Sequence, residues 1–228
     1  MNASPRIRVL LVDDHAVVRA GYRALIESEP RFAVVDEAED GERAYRRTHA
    51  GDIDVVVMDL AMPGQGGLSA AQRIAAREPA PRVLVFSMHA HPSFAAQAFA
   101  AGALGYVTKS SPPATLLEAL ASVAQGRRYL SADIAQALAL ARFGSAHARL
   151  ETLTVREFEV LRLLLAAHSV EDIAATLHLS VKTVRNLHYA VKRKLEVRDD
   201  IELVRLALRL EVVDLVDFAA IAPALPAS

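Results

Sequence analysis

Cysteine is absent from all 228 residues. That excludes disulfides, thiolate metal sites, iron–sulfur clusters and cysteine nucleophiles, and it is compatible with a reducing compartment. No stretch reaches the roughly 18 consecutive apolar residues of a membrane-spanning helix. Residues 1–6 run straight into a strand-like segment without the apolar core of a signal peptide, so the expectation is a cytoplasmic, unprocessed chain with no membrane partner. Glycine and proline, ten of each, are too few for a collagen-like or low-complexity chain. Neither sign of charge dominates. Lys and Arg number 26 against 27 Asp and Glu, a net −1, so the chain as a whole gives no argument for nucleic acid.

What is present is the balance of a folded globular protein, 53% hydrophobic and 23% charged, at a length that suits two domains. The charge is uneven. Residues 1–125 carry net −2, residues 126–149 net +3 and residues 150–228 net −2. Within the last region, residues 181–198 carry net +5, from Lys182, Arg185, Lys192, Arg193, Lys194 and Arg198 against Glu196. Basic helix faces are often no more than solvated surface, so charge alone leaves this patch open.

Residues 1–125 alternate strand-like runs (7–12, 32–35, 53–58, 82–86, 105–107) with helical patterns near 15–28, 40–49, 67–77, 93–101 and 113–125. This alternation predicts an α/β domain, a doubly wound five-stranded parallel sheet of order 2-1-3-4-5 with helices on both faces. Ligands of such sheets bind beyond the carboxyl ends of the strands. Residues 126–149 read as a partly helical linker, with a helix over 132–143 ended by Gly144. Residues 150–228 read as all-α. Thr154-Val-Arg-Glu157 is a capping box, opening a helix with Val155, Phe158, Leu161, Leu164 and Leu165 inward. Ser169 opens a second helix, Ser180 a third and Asp199-Asp-Ile-Glu202 a fourth, with the tail from 211 extending it. The three-residue connection 178–180 suggests a helix-turn-helix. It has no glycine, and His178 is expected to take the left-handed conformation that His tolerates better than most residues.

Asp13 and Asp14 directly follow the first strand, and Asp59 follows the third. Any one of them reads equally well as a helix cap. Three carboxylates at the ends of adjacent strands repel one another, and a hard divalent cation such as Mg2+ relieves that repulsion through oxygen ligands. Ser87 follows the fourth strand and Lys109 the fifth. A hydroxyl and an ammonium at this edge suit the oxygens of a phosphoryl group. His15, His89 and His91 share the edge, but their spacing matches no metal-ligand motif, and they are read as loop and surface residues.

These residues stand in Leu-Val-Asp-Asp-His (11–15), Val-Val-Met-Asp-Leu-Ala-Met-Pro-Gly (56–64), Phe-Ser-Met (86–88) and Gly-Tyr-Val-Thr-Lys (105–109). With those motifs in that order, residues 6–125 resemble the receiver domain of two-component response regulators. The resemblance implies that Asp59 accepts a phosphoryl group from a sensor histidine kinase. It implies that Asp14, Asp59 and the carbonyl of Ala61 bind Mg2+, with Asp13 acting through water. It gives Lys109 and Ser87 to the phosphoryl oxygens and makes Tyr106 the aromatic that changes rotamer. One departure is Ser110, where the family often has a proline after the lysine. An aspartate-nucleophile phosphatase is disfavoured, because the acid/base position two residues after the nucleophile is Ala61. The chain is therefore expected not to be an enzyme.

On the third helix of the all-α region, Val184, His188, Val191 and Leu195 fall on the core side. Lys182, Arg185, Tyr189 and Lys192 fall on one outward face with Asn186 and Arg193 beside them. Lys and Arg neutralise phosphates, while Arg reads guanine edges and Asn adenine edges. The stretches Leu-Thr-Val-Arg-Glu-Phe-Glu-Val-Leu (153–161), Asp-Ile-Ala-Ala-Thr-Leu (172–177), Leu-Ser-Val-Lys-Thr-Val-Arg-Asn (179–186) and Lys-Arg-Lys-Leu (192–195) resemble the LuxR-type helix-turn-helix domain. A receiver followed by this domain is the arrangement of the NarL/FixJ class. The resemblance implies a transcription factor that binds double-stranded DNA as a homodimer when phosphorylated. Arg185, Asn186 and Tyr189 would face bases, and Lys182, Thr183 and Lys192 would face phosphates. Two family glycines are replaced, by Ala167 and by Glu196, and the latter adds a negative charge near DNA. A second domain that docks on protein rather than DNA, and a receiver that never takes phosphate, remain as alternatives at this stage.

Overall fold

The computed structural model describes residues 6–62, 66–141 and 149–210. The chain divides into two compact units, Met1–Ala139 and Leu140–Ser228. Among the described residues no helix is long and apolar enough to cross a membrane.

The first unit alternates β1 (Ile7–Val12), α1 (Ala16–Glu27), β2 (Phe32–Ala38), α2 (Gly41–Arg47), β3 (Val55–Met58) and α3 (Gly67–Ala75). It continues through β4 (Arg82–Ser87), α4 (Pro92–Ala100), β5 (Gly105–Thr108), α5 (Pro113–Ala124), β6 (Tyr129–Leu130) and α6 (Ala132–Ala141). The strands form one parallel sheet of order β2-β1-β3-β4-β5-β6. The expected order 2-1-3-4-5 is present, and the expected count of five is corrected to six. Tyr129 and Leu130, placed by sequence in the linker, pair with Gly105 and Tyr106 of β5. A two-residue edge strand is too short to leave a periodic signal.

Apolar pattern explains the layering. β3 and residues 9–12 of β1 are buried throughout, as is β4 from Val83 onward. Strands buried on both faces need helices on both sides, and the crossovers supply them. On one face Val9, Leu11, Val57, Phe86 and Val107 pack against Leu116, Leu120 and Val123 of α5 and Ile26 of α1. Each such side chain contributes about 1.5–3 kcal/mol by leaving water. Register then positions the carboxyl edge. Val12 lies opposite Met58, Met58 opposite Val85, and Ser87 opposite Thr108. Asp13, Asp59 and Lys109 are the next residues, so all three emerge at one edge beside Ser87.

The second unit contains α7 (Val155–Leu165), α8 (Val170–Thr176), α9 (Val181–Leu195) and α10 (Asp200–Arg209). Each begins at a side-chain cap. Thr154 and Glu157 form the expected capping box, and Ser169, Ser180 and Asp199 accept from the amides of Asp172, Thr183 and Glu202. A cap of this kind contributes about 1 kcal/mol. Val160, Leu163, Ile173, Leu177 and Val184 form one core cluster. Leu164, expected inward, is only half-buried, and Leu163 and Val160 take the deeper places. The reason is a broad buried face on α7, wide enough to include Glu157 and Glu159. Glu159 is paired with Arg156 at 3.0 Å. The expected helical extension beyond residue 210 lies outside the described residues.

The ends of α7, α8 and α9 share one backbone device. The amides of Ala167 and His168 bond the carbonyls of Leu164 and Leu163, those of His178 and Leu179 bond Ala175 and Ala174, and those of Glu196 and Val197 bond Arg193 and Lys192. This is the Schellman pattern, which requires a left-handed residue and favours glycine there. Ala167, His178 and Glu196 occupy it at φ 56°, 52° and 56°. His178 is left-handed as expected. A non-glycine residue costs roughly 1–2 kcal/mol in this region. Ala167→Gly is therefore expected to raise the stability of the helical unit by about 1 kcal/mol, read from the urea midpoint of its unfolding. An unchanged or lowered midpoint would show that Ala167 carries no such strain.

Candidate functional site

At the carboxyl edge of the sheet, the ammonium of Lys109 donates to Asp13 Oδ2 at 2.6 Å and to Asp59 Oδ2 at 2.7 Å. All three side chains are almost fully buried, at 7%, 3% and 3% exposure. The second oxygen of each carboxylate accepts from a backbone amide two residues on. His15 N–H donates to Asp13 Oδ1 at 2.7 Å and Ala61 N–H to Asp59 Oδ1 at 3.2 Å. Such local turns are typical of aspartate at strand ends. Burial alone would depress the lysine pKa. The hydrogen bonds with Asp13 and then Asp59 outweigh it, so Lys109 titrates above its ordinary range.

Asp14 lies beside Asp13. Its Oδ1 is buried without a hydrogen bond and lies 2.9 Å from His15 Nδ1, at ion-pair distance but without hydrogen-bond geometry. Ligand atoms of Asp13, Asp14 and His15 come within 4.8 Å of one another. His15 is the exposed loop residue expected, and its ring lies beside the two acids. Asp59 joins the group through Lys109 rather than by belonging to that trio. His91 caps α4 through Ser93, and His89 stacks on Phe94 with ring centroids 4.0 Å apart, so these two loop residues are partly buried in local packing. The oxygen-rich donor set and the unsatisfied Asp14 oxygen fit a hard divalent cation.

Ser87 is fully buried beside this group, and its carbonyl accepts from Lys109 N–H at 2.8 Å. Tyr106 is also fully buried and donates its hydroxyl to the carbonyl of His89 at 2.7 Å. Burial drives its phenol well above the ordinary tyrosine range, so it acts only as a neutral donor. Behind Lys109, Thr108 donates to Asp133 of α6 at 2.6 Å. The Lys109–Ser110 peptide is trans, as a bond to a non-proline residue prefers.

Gly67 was not singled out from sequence. A Cβ there would sit 2.2 Å from the carbonyl oxygen of Asp59 and 2.8 Å from Cα of Leu60. The first turn of α3 therefore lies directly against the backbone that carries Asp59, and only glycine fits. The Gly66-Gly67 pair ahead of an apolar helix was the available clue.

In the second unit, α9 presents Lys182, Thr183, Arg185, Asn186 and Tyr189 to solvent, with Tyr189 68% exposed. A tyrosine that open is not packed against its neighbours. Thr183 shares a 2.8 Å hydrogen bond with the Ser180 cap. Lys192 is half-buried and donates to Asp200 Oδ1 at 3.0 Å, and His188 Nε2 lies 2.8 Å from the same oxygen. Arg185 lies 3.6 Å from Glu171. Val184, Val191 and Leu195 are buried on the opposite side.

Comparisons with known proteins agree with this division. A family model for the response regulator receiver domain matches residues 9–121, and one for bacterial regulatory proteins of the luxR family matches residues 151–207. The chain is 38% identical over 205 residues to the response regulator UvrY of Escherichia coli O6:H1, covering 89% of this chain and 94% of that protein. It is 35% identical over 210 residues to the response regulator GacA of Pseudomonas viridiflava, covering 91% and 98%. A solved structure of RcsB from Salmonella enterica serovar Typhimurium, bound to promoter P1flhDC in the presence of the phosphomimetic BeF3-, matches at a TM-score of 0.72. Identity there is 28%, with 92% of this chain and 100% of that chain covered.

Two outcomes follow from the crevice geometry. Gly67→Ala should lower the stability of the first unit by about 1–3 kcal/mol, the cost of overpacking against fixed backbone, and a urea midpoint at the wild-type value would contradict the contact. Because the Lys109 pKa is raised, the stability from its ion pairs is complete below the ordinary lysine pKa of about 10.4 and is lost as pH rises through the folded value. Wild-type stability should therefore fall more steeply on the alkaline side than that of Lys109→Met. Parallel alkaline limbs would mean that the ammonium is not paired.

Proposed function

The chain belongs to the two-component response regulators that join a receiver domain to a luxR-family DNA-binding domain, and we propose that this transcriptional regulator is switched by a phosphoryl group on Asp59. The observation that carries this reading is the buried Lys109 ammonium shared between Asp13 and Asp59. It holds the acceptor carboxylate in place, and it is already where phosphoryl oxygens would lie.

The donor is the phosphohistidine of a sensor kinase. An Asp59 oxygen attacks phosphorus as the phosphorus–nitrogen bond breaks, and the imidazole leaves with its electron pair. Lys109 exchanges its contact with Asp59 for a phosphoryl oxygen and keeps Asp13. The Ser87 hydroxyl donates to a second oxygen, and Tyr106 follows it by a change of rotamer. Asp14, Asp59 and the carbonyl of Ala61, with Asp13 through water, would hold Mg2+. That ion would neutralise charge on the phosphoryl oxygens during transfer.

The added charge biases an existing equilibrium toward the form that binds DNA. We assign Arg185, Asn186 and Tyr189 of α9 to base edges and Lys182, Thr183 and Lys192 to phosphates, in a homodimer on paired half-sites. The RcsB structure, obtained on promoter DNA in the presence of a phosphomimetic, supports DNA binding by the phosphorylated form.

The direct test is phosphate incorporation from acetyl phosphate with Mg2+, followed on the intact chain. Wild type should take up phosphate, and Asp59→Asn should take up none while remaining folded. Robust incorporation in the Asp59→Asn chain would refute the assignment.

A further inference from the structure

The outward face of α9 does not offer its charges freely. Lys192 and His188 converge on one oxygen of Asp200, at 3.0 Å and 2.8 Å, although Asp200 belongs to the first turn of α10. The side chains of Lys192 and His188 are 25% and 14% exposed, while that of Asp200 is 65% exposed. The lysine is thus drawn in toward the carboxylate rather than extended into solvent. Burial disfavours ionisation of Asp200, but the hydrogen bond from Lys192 and the charge of His188 outweigh it and hold its carboxyl below the usual range. At the other end of the face, Arg185 has Glu171 of α8 at 3.6 Å. That pair is open to water on both sides and worth little.

We propose that Asp200 is a specificity-setting residue that restrains the sequence-independent affinity of α9 for duplex DNA by occupying Lys192. The proposal rests on the assignment of Lys192 to a DNA phosphate. A phosphate that approaches Lys192 must displace a carboxylate already hydrogen-bonded to it. Displacement returns much of the Coulomb gain, so the contact adds less to backbone binding than an unpaired lysine would. Backbone contacts carry no sequence information. Weakening one of them lowers binding to any duplex and leaves discrimination to the base-facing residues. The net −2 charge of residues 150–228 acts in the same direction. The helix stays properly started without Asp200, because its cap is Asp199, which accepts from the amide of Glu202.

The test is a double-mutant cycle on the full chain, with a fluorescently labelled duplex of random sequence as probe and affinity followed against salt. Asp200→Asn keeps an oxygen for His188 and removes the charge. It should raise affinity about threefold to tenfold and steepen the salt dependence by up to about one released counterion. Lys192→Met should lose affinity, and Asp200→Asn placed in that background should gain little or nothing. Unfolding midpoints identify a variant that fails to fold, and Asp200→Ser, which also favours a helix start, then replaces it. No gain from Asp200→Asn, while Lys192→Met weakens binding, overturns the restraint and leaves the phosphate assignment standing. A full gain that persists without Lys192 overturns it as a general charge effect. An unchanged affinity in Lys192→Met overturns the phosphate assignment and the restraint together.

Discussion

One buried ammonium between two carboxylates organises the first unit. Asp13 and Asp59 would repel each other at the edge of a sheet whose interior excludes water, and Lys109 removes that repulsion at 2.6 Å and 2.7 Å. The arrangement follows from the register, in which β1 and β3 end level with one another and β4 and β5 run two residues further. Val12 faces Met58, Ser87 faces Thr108, and the residues next after β1, β3 and β5 meet in the crevice. A slip of one residue in any strand would turn its charged group away from the others. The valine-rich strands and the helices packed on them are therefore the support of an electrostatic assembly, with Gly67 allowing α3 to close directly on the backbone of Asp59.

The two units treat alike the lysines proposed to meet phosphate. Lys109 is paired with Asp59 and Asp13, and Lys192 is paired with Asp200. In each case an incoming phosphate oxygen competes with a carboxylate instead of meeting a free cation. Such competition favours a ligand that brings further contacts of its own. On the proposed reading, a phosphoryl group would become covalently attached, and a cognate duplex would offer base edges to Arg185 and Asn186. Both units also keep the lysine ordered before its ligand arrives, which lowers the entropy lost on binding.

Much of this was legible in the residues. Strand runs such as 7–12 and 53–58 announce themselves by near-continuous apolar content, and the groups directly after them, Asp13 and Asp59, are placed by that fact. The outward face of α9 follows from helical spacing, and Tyr189 is as exposed as that spacing implies. Other features carry no periodic signal. β6 has two residues. The contact of Gly67 with Asp59 joins chain segments whose approach depends on how α3 enters the sheet. Asp200 sits in a helix-start motif that explains its presence without reference to Lys192. Leu163 and Leu164 are adjacent leucines on a helix buried over a wide face, so spacing could not rank them. The left-handed residues were partly visible, since Ala167 and Glu196 stand at positions that usually carry glycine.

A structure of the full chain with beryllium trifluoride and magnesium tests the central claim most directly. The account requires beryllium attached to an Asp59 oxygen. It also requires the Lys109 ammonium within hydrogen-bond distance of a fluoride, with its contact to Asp13 kept and its contact to Asp59 given up. Beryllium attached to another carboxylate, or Lys109 turned out of the crevice in that complex, would contradict it.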